Sequence, residues 1–410
     1  MMDIYRYIDA TKDGMQKLLG KKGVSCAVRQ WVRGPRTLTA DIRLADPSQF
    51  QEAIKIGKPL GLHVGAQDVQ SYIHMGVIRY ELLLPTEMWR TYSLDDLTNT
   101  MAVGVASDRT EAQFSLGRPT TLVVGESGSG KTNLINVLLT QTMRNHTPEQ
   151  LQMGIIDPHN SGFHGFEGKA HLAGPPARTK AEISDAFGWF RGEFEERRRL
   201  GEAKVKEMGL PMLWFIIDEC SNLDCIGEDG AHIDENLNVA RTLVKEGRKF
   251  GFRTLLITQK PTEKDLPGIL SIATNRYVGR VAKSVSSNLS NSDDAKPYRL
   301  TGSGDFFHIS PRGYTRFQAA LVDGADQLSL PAGRYDDWPQ MYAHWDEPEA
   351  PTRGRPKVEI EPDKLAYYMR EDKISRSLAN EMFGFGQTLH RRYVDFATRL
   401  KDAMKKHEST

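Results

Sequence analysis

Apolar and polar positions along this chain fall into blocks whose spacing changes near residue 100 and again near residue 346. From residue 23 to residue 95 short apolar stretches are separated by turns, as in "VSCAVRQWVRGPRTLTADIRL", "IKIGKPLGLHV" and "VIRYELLLP". Between them "DPSQFQEAIKIGKPLGL" opens on Asp46 as an N-cap and continues with helical spacing, so this part reads as a small α+β domain. A short polar connection leads to the next block. There "TTLVVG", "QMGIID", "MLWFIID", "RTLLITQ" and "RYVGRV" read as strands with a helical stretch after each of the first four. Such alternation predicts an α/β core built on a mainly parallel sheet with helices on both faces. In "DEPEAPTRGRPKVEIEPD", Asp346 to Asp363, proline and charge displace apolar residues, as in a linker. Helical spacing returns in "KLAYYMRED", "ISRSLANEMFG" and "GQTLHRRYVDFATRLKDAMKK". The expected organisation is a small α+β domain over 1–100, the α/β domain over 101–345, a linker over 346–363 and a small all-α domain over 364–410.

Composition narrows the class. A chain of 410 residues is too long for one ordinary core. Its 26% charged and 39% hydrophobic residues are those of a globular protein, which excludes disorder of the whole chain. A net charge of +1 gives no global basic field, so any nucleic-acid surface must come from local clusters of Lys and Arg. Cys26, Cys220 and Cys225 cannot all pair with one another and have no metal-like spacing; they read as small buried side chains in a reducing compartment. The longest apolar runs fall well short of the roughly 18–20 residues that a membrane span needs, and "MMDIYRYIDATKDGMQ" has no secretory apolar region. The expectation is a cytoplasmic protein that reaches a membrane only through a partner.

The chemistry begins at "TTLVVGESGSGKTNLIN". Gly125, Glu126, Ser127, Gly128, Ser129, Gly130, Lys131 and Thr132 form a complete GxxxxGK[ST] between a strand and a helix, the context that makes this motif specific. Glycines let the backbone curl so that its N–H groups surround phosphates, with the positive end of the helix facing the same anion. Lys131 is placed for the β and γ phosphates and the Thr132 hydroxyl for Mg²⁺, so the expected ligands are ATP and Mg²⁺. "MLWFIIDE" ends a buried strand in Asp218 and Glu219, at the strand end where α/β sheets bind ligands. Asp218 suits the magnesium shell, and Glu219 suits a general base acting on the attacking water. Gln259, at the end of "TLLITQ", could sense the γ phosphate or simply cap its strand.

In order, "GESGSGKTNLIN", "MGIIDPHN", "AFGWFRGEFEERRRL", "WFIIDECSNL", "ARTLVKEGRKFGFRTLLITQKP" and "LTGSGDFFHISPRGYTRFQAALV" resemble the FtsK family of DNA translocases, within the FtsK and HerA group. The resemblance implies a RecA-like ATPase core preceded by the smaller motor domain, and a homo-oligomeric ring of six subunits. ATP would bind between neighbours, and double-stranded DNA would pass through the channel. It also implies that Arg248, in "EGRKFGF", is an arginine finger acting on a neighbour's γ phosphate, with Arg241 as the rival. His159 stands where the family's "IDPK" has lysine, and "SSNLSNSDDAKPYRLTG" departs from the family's usual text, so loops facing DNA cannot be assigned by matching. The setting this suggests is plasmid, phage or mobile-element transfer or segregation. A conjugative or genome-packaging pump shares the same motor class. A non-translocating, ATP-switched DNA-binding protein is the reading from another class.

Two features of the tail bear on DNA. Arg353-Gly354-Arg355-Pro356 resembles an AT-hook core, whose arginines lie in a narrow A·T minor groove; it could equally be a solvated linker. "KISRSLANEMFGFGQTLHRRYVDFATRL" has the form of a helix-turn-helix, with Leu378, Met382, Leu389, Tyr393 and Phe396 as its small core. Gln387, Thr388, His390, Arg391 and Arg392 open the second helix, where base and phosphate contacts arise. The alternative is a helical hairpin that docks on protein. From Arg353 onward 13 Lys and Arg stand against 9 Asp and Glu, a modest basic bias.

Overall fold

The computed structural model describes residues 4–335, except 75, 161, 221–229, 260, 263–267 and 290–294, together with 338 and 339; for 230–235 only the backbone is described. These residues lie in the first of two units into which the chain divides, residues 1–342. The linker and tail features therefore fall outside the described residues.

The first sheet is antiparallel. Its strands β1 (Cys26–Arg33), β2 (Thr37–Leu44), β3 (Val69–His74) and β4 (Val77–Leu83) are ordered β1-β2-β4-β3. Side chains alternate across a strand, and here the two faces differ in kind. Leu38, Ala40 and Ile42 of β2, with Ile78, Tyr80 and Leu82 of β4, form one apolar core with Tyr7, Met15 and Leu19 of helix α1 (Ile4–Lys21) and Leu60 of α3 (Gly57–Val64). The intervening Thr39, Asp41, Arg79 and Glu81 are also buried. Arg79 donates to both Asp41 carboxylate oxygens, at 2.7 and 2.8 Å, so that neither charge is left unmatched. Asp46 accepts from Ser48 N at 2.9 Å and starts a short turn ahead of α2 (Phe50–Lys55).

The second sheet has nine strands among the described residues, in the order β6-β5-β13-β12-β11-β7-β10-β9-β8. β7 (Thr120–Val124), β8 (Leu151–Ile156), β9 (Met212–Ile217), β10 (Phe252–Thr258) and β11 (Asn275–Val278) are parallel. Both faces of these strands are covered, which explains their unbroken apolar text. Leu213, Phe215 and Ile217 of β9 meet α5 (Lys180–Leu200) and α7 (Gly230–Glu246), while Trp214 and Ile216 share the opposite core with α4 (Lys131–Asn145). In α5 the buried Ile183, Phe187, Phe190 and Phe194 recur at helical spacing, and a capping box of Thr179 and Glu182 fixes the start of the helix.

The large sheet extends beyond the strands read from the sequence. The stretch read as polar connection contains two further strands, β5 (Ala102–Ala106) and β6 (Glu111–Gln113), antiparallel at the sheet's edge. Gly104 permits this, because a Cβ there would lie 2.1 Å from the Gln318 carbonyl oxygen. The helix expected between β10 and β11 falls on a stretch of which residues 260 and 263–267 lie outside the described residues. Finally, β12 (Asp305–Ser310) and β13 (Gly313–Ala319) form a hairpin that continues the sheet antiparallel to its core. The small sheet's polar face meets this hairpin, with Arg316 Nη1 3.5 Å from Glu81 and the Tyr72 and Tyr314 rings 5.9 Å apart.

No helix among the described residues is long and apolar enough to cross a membrane. Cys26 and Cys220 are free thiols, the first half-buried and the second buried; Cys225 lies outside the described residues.

Candidate nucleotide site

Register places four strand ends on one edge of the large sheet. Val124 pairs with Thr258, and Ile217 pairs with both Ile156 and Leu256, so the segments that follow β7, β8, β9 and β10 open together. This is the carboxyl edge of a parallel sheet, where strand-to-helix loops gather. A cavity of about 400 Å³ lies there, lined by Glu126 to Gly128, Gly130 to Thr132, Asp218, Glu219 and Gln259, and also by Asn136 and His159.

The loop from Gly125 to Thr132 has the conformation that its glycines allow. Gly128 and Gly130 lie at φ +75° and +94°, and a Cβ on Gly130 would come within 2.4 Å of Gly304 N. α4 begins at Lys131 without a side-chain cap, which leaves first-turn N–H donors for an anion at the cavity. Lys131 Nζ donates to Gly125 O at 2.5 Å and to Glu126 O at 3.2 Å. Burial lowers the Lys131 pKa, against the pull of Glu219, Asp218 and Glu126. A partly desolvated ammonium resting on loop carbonyls can turn toward phosphate oxygens without crossing the site. Ser129 is fully buried beneath the loop, and a Cβ on Gly125 would lie 2.4 Å from its hydroxyl.

Opposite the loop, Asp218 N donates to Ile156 O at 2.9 Å and Asp218 Oδ1 accepts from Glu219 N at 3.0 Å. Glu219 is a buried carboxylate on a left-handed backbone, φ +46°. A non-glycine residue held there costs on the order of 1–3 kcal/mol, and such strain concentrates at functional positions. Its Oε1 accepts from Thr258 Oγ1 and Gln259 N, both at 3.3 Å, which fixes the carboxylate at the end of β10. Thr132 carries a hydroxyl at the head of α4 in the same cavity. The cradle, the ammonium, the hydroxyl and the two carboxylates together fit a magnesium nucleoside triphosphate.

Arg248 and Arg241 do not line this cavity. Arg248 is exposed in the turn Gly247–Phe250, just before β10, and so lies at the opposite edge of the sheet. A seven-residue strand spans roughly 20 Å, beyond the reach of an arginine to its own site. Arg241 is half-buried on α7, donating to Asn238 Oδ1 at 3.2 Å. Two features escaped the motif reading. Arg280, after β11, has its Nε 3.8 Å from the Glu126 carboxylate and its carbonyl bonded to Glu126 N at 2.8 Å. Ser303 N and Gly304 N donate to the loop carbonyls of Gly128 and Ser129, at 2.9 and 2.8 Å.

Comparison with known proteins agrees with this geometry. Residues 83–277 match the model of the FtsK/SpoIIIE family. Curated relatives include the DNA translocase FtsK of Staphylococcus aureus, 22% identical over 96% of this chain and 53% of that protein, and that of Halalkalibacterium halodurans, 23% identical over 95% and 54%. The chain thus spans about half the length of the curated relatives it matches. Among solved structures, the pCW3 conjugation coupling protein TcpA, in its monomer form with ATPγS, aligns with a TM-score of 0.53 at 16% identity over 78% of this chain and 99% of that one. The cytoplasmic domain of the type VII secretion ATPase EccC of Thermomonospora curvata aligns with a TM-score of 0.51 at 20% identity, over 63% of this chain and 34% of that one. These likenesses establish the P-loop ATPase fold, and the family match places an FtsK/SpoIIIE family domain at residues 83–277 of this chain.

Proposed function

We propose that the chain hydrolyses ATP to move double-stranded DNA, as one subunit of a ring of six. The observation that carries this reading is the meeting, in one cavity, of a phosphate cradle and a strained, buried Glu219. Backbone N–H groups of the loop and Lys131 bind and orient the triphosphate. Thr132 and Asp218 would hold Mg²⁺, which supplies positive charge against the phosphate oxygens when bound. Glu219 orients the attacking water and accepts its proton, and Gln259, bonded to the same carboxylate, is placed to report on the γ phosphate. Arg248 serves a neighbour's site. The DNA substrate is supported by the named activity of the curated relatives.

For the tail we propose a DNA-contacting role through Arg353 and Arg355 and through the helix opening at Gln387, Thr388, His390, Arg391 and Arg392. The test is ATP turnover with and without long duplex DNA. Duplex is expected to stimulate the wild-type chain, Lys131→Ala is expected to lose turnover with or without it, and deletion of residues 353–410 is expected to keep stimulation by random sequence while flattening preference among sequences. Wild-type turnover in Lys131→Ala, or turnover indifferent to DNA, would refute the motor; unchanged preference after the deletion would refute the role given to the tail.

A further inference from the structure

The phosphate loop is held from behind by a second glycine-rich turn. Gly302, Ser303 and Gly304 all lie in the left-handed region, at φ +79°, +52° and +93°, so three successive residues share a conformation that costs energy at the serine. The strain places two peptide groups edge-on to the loop. The N–H of the Gly302–Ser303 peptide donates to Gly128 O at 2.9 Å, and that of Ser303–Gly304 donates to Ser129 O at 2.8 Å. In a trans peptide the carbonyl points the other way. Both of those carbonyls accept their shortest hydrogen bonds from one side chain, Arg36 Nη1 to Gly302 O at 2.7 Å and Arg36 Nη2 to Ser303 O at 2.6 Å, with longer ones from Asp305 N to Gly302 O at 3.3 Å and from Gln318 Nε2 to Ser303 O at 3.2 Å.

Arg36 belongs to the small domain. It sits in the turn between β1 and β2, only 7% exposed, with its guanidinium 4.3 Å from the centre of the Trp89 ring. Nη1 also donates to Thr301 Oγ1 at 2.6 Å. The base of the turn is fixed by Asp305, whose Oδ2 accepts from Thr301 N and Thr301 Oγ1, each at 3.0 Å, and whose carboxylate takes both arms of Arg316 at 3.0 and 2.8 Å. Burial alone would raise the Asp305 pKa; Arg316, the Thr301 N–H and Arg36 together outweigh it and lower it, so the carboxylate stays charged and the turn stays anchored.

Two parallel chains, each running from guanidinium through a peptide to a loop carbonyl, thus connect one arginine of the small domain to Gly128 and Ser129 of the phosphate cradle. Hydrogen bonds in series polarise one another. A carbonyl of Ser129 drawn onto the clamp also directs the N–H of Gly130 away from it.

We propose that Arg36 is a positioning residue for the phosphate loop: through the Thr301–Gly304 turn the small domain holds the cradle in its binding geometry, so nucleotide binding and the seating of the small domain favour one another. This rests on the cavity being a nucleoside triphosphate site. Because the coupling is a free energy shared by both processes, it is reciprocal. Without Arg36 the loop samples other conformations, and nucleotide must select the competent one. Affinity then falls while turnover at saturation is largely kept.

The experiment titrates full-length wild type, Arg36→Met and Arg36→Lys with a fluorescent ATP analogue, measures kcat and KM, and follows amide hydrogen exchange across residues 36–42 with and without ATPγS. The clamp predicts that Arg36→Met weakens binding and raises KM by about tenfold, with kcat within about threefold of wild type, and that the lysine, which offers one amine in place of the fork, falls between. It also predicts that ATPγS slows exchange across 36–42 in wild type and much less in Arg36→Met. Should Arg36→Met fail to fold, Thr301→Val removes only the hydroxyl that Arg36 and Asp305 share, and is expected to raise KM by a few-fold. Binding within twofold of wild type, or a fall in kcat at unchanged KM, would reduce Arg36 to a structural contact and overturn the proposal. Failure of the wild-type chain itself to bind the analogue would overturn the cavity's assignment, and the clamp with it.

Discussion

Glu219→Gln is expected to bind ATP as the wild type does and to hydrolyse it about 10²–10⁴-fold more slowly, the span that a positioned general base contributes. The substitution keeps the size of the side chain and an oxygen that can still accept from Thr258 Oγ1 and Gln259 N, so the strained turn after β9 should survive. What it removes is a site for the proton of the attacking water. Single-turnover hydrolysis under saturating ATP, set beside analogue binding, separates the two effects. A variant that binds and turns over like wild type would take the base role from Glu219. One that no longer binds would make Glu219 a structural support of the cavity instead.

Arg248→Ala is expected to slow hydrolysis by about 10³–10⁵, the range found for arginines supplied across an interface, while leaving the variant's own cavity intact. The structure makes the location of the effect testable. Arg248 lies beyond reach of the site in its own chain, so a finger role for it requires a neighbour's site. Mixing Arg248→Ala with Glu219→Gln subunits, each inactive alone, should therefore restore turnover wherever a complete cavity meets a complete arginine. Restoration would support both the trans role and the oligomer. If Arg248→Ala keeps the wild-type rate while Arg241→Ala loses it, the finger is Arg241.

The parallel strands are legible in the sequence because each is a short apolar run buried on both faces, and the phosphate loop is legible because its glycines, lysine and threonine act within eight consecutive positions. β5 is not. "AVGVA" is too brief to stand out, and its strand conformation depends on pairing with β13, far along the chain. Arg248 is legible only as a motif position, since the edge of the sheet on which it falls is a property of the fold. Least legible is the clamp: "TGSG" reads as an ordinary turn, and the arginine that donates to its carbonyls lies in the β1–β2 turn, more than 260 residues earlier in the chain. Interactions confined to one segment leave a signature in that segment, whereas those assembled from distant segments leave only isolated residues whose partner is unknown.

The central claim is that the cavity feeds movement along duplex DNA, and displacement of a third strand from a long linear triplex, with ATP, tests it most directly. Wild-type chain is expected to strip the third strand, and Glu219→Gln to leave it in place although it binds both ATP and DNA. A third strand that stays put with wild type, under conditions where ATP is hydrolysed and DNA is bound, would contradict translocation and leave an ATP-driven switch in its place.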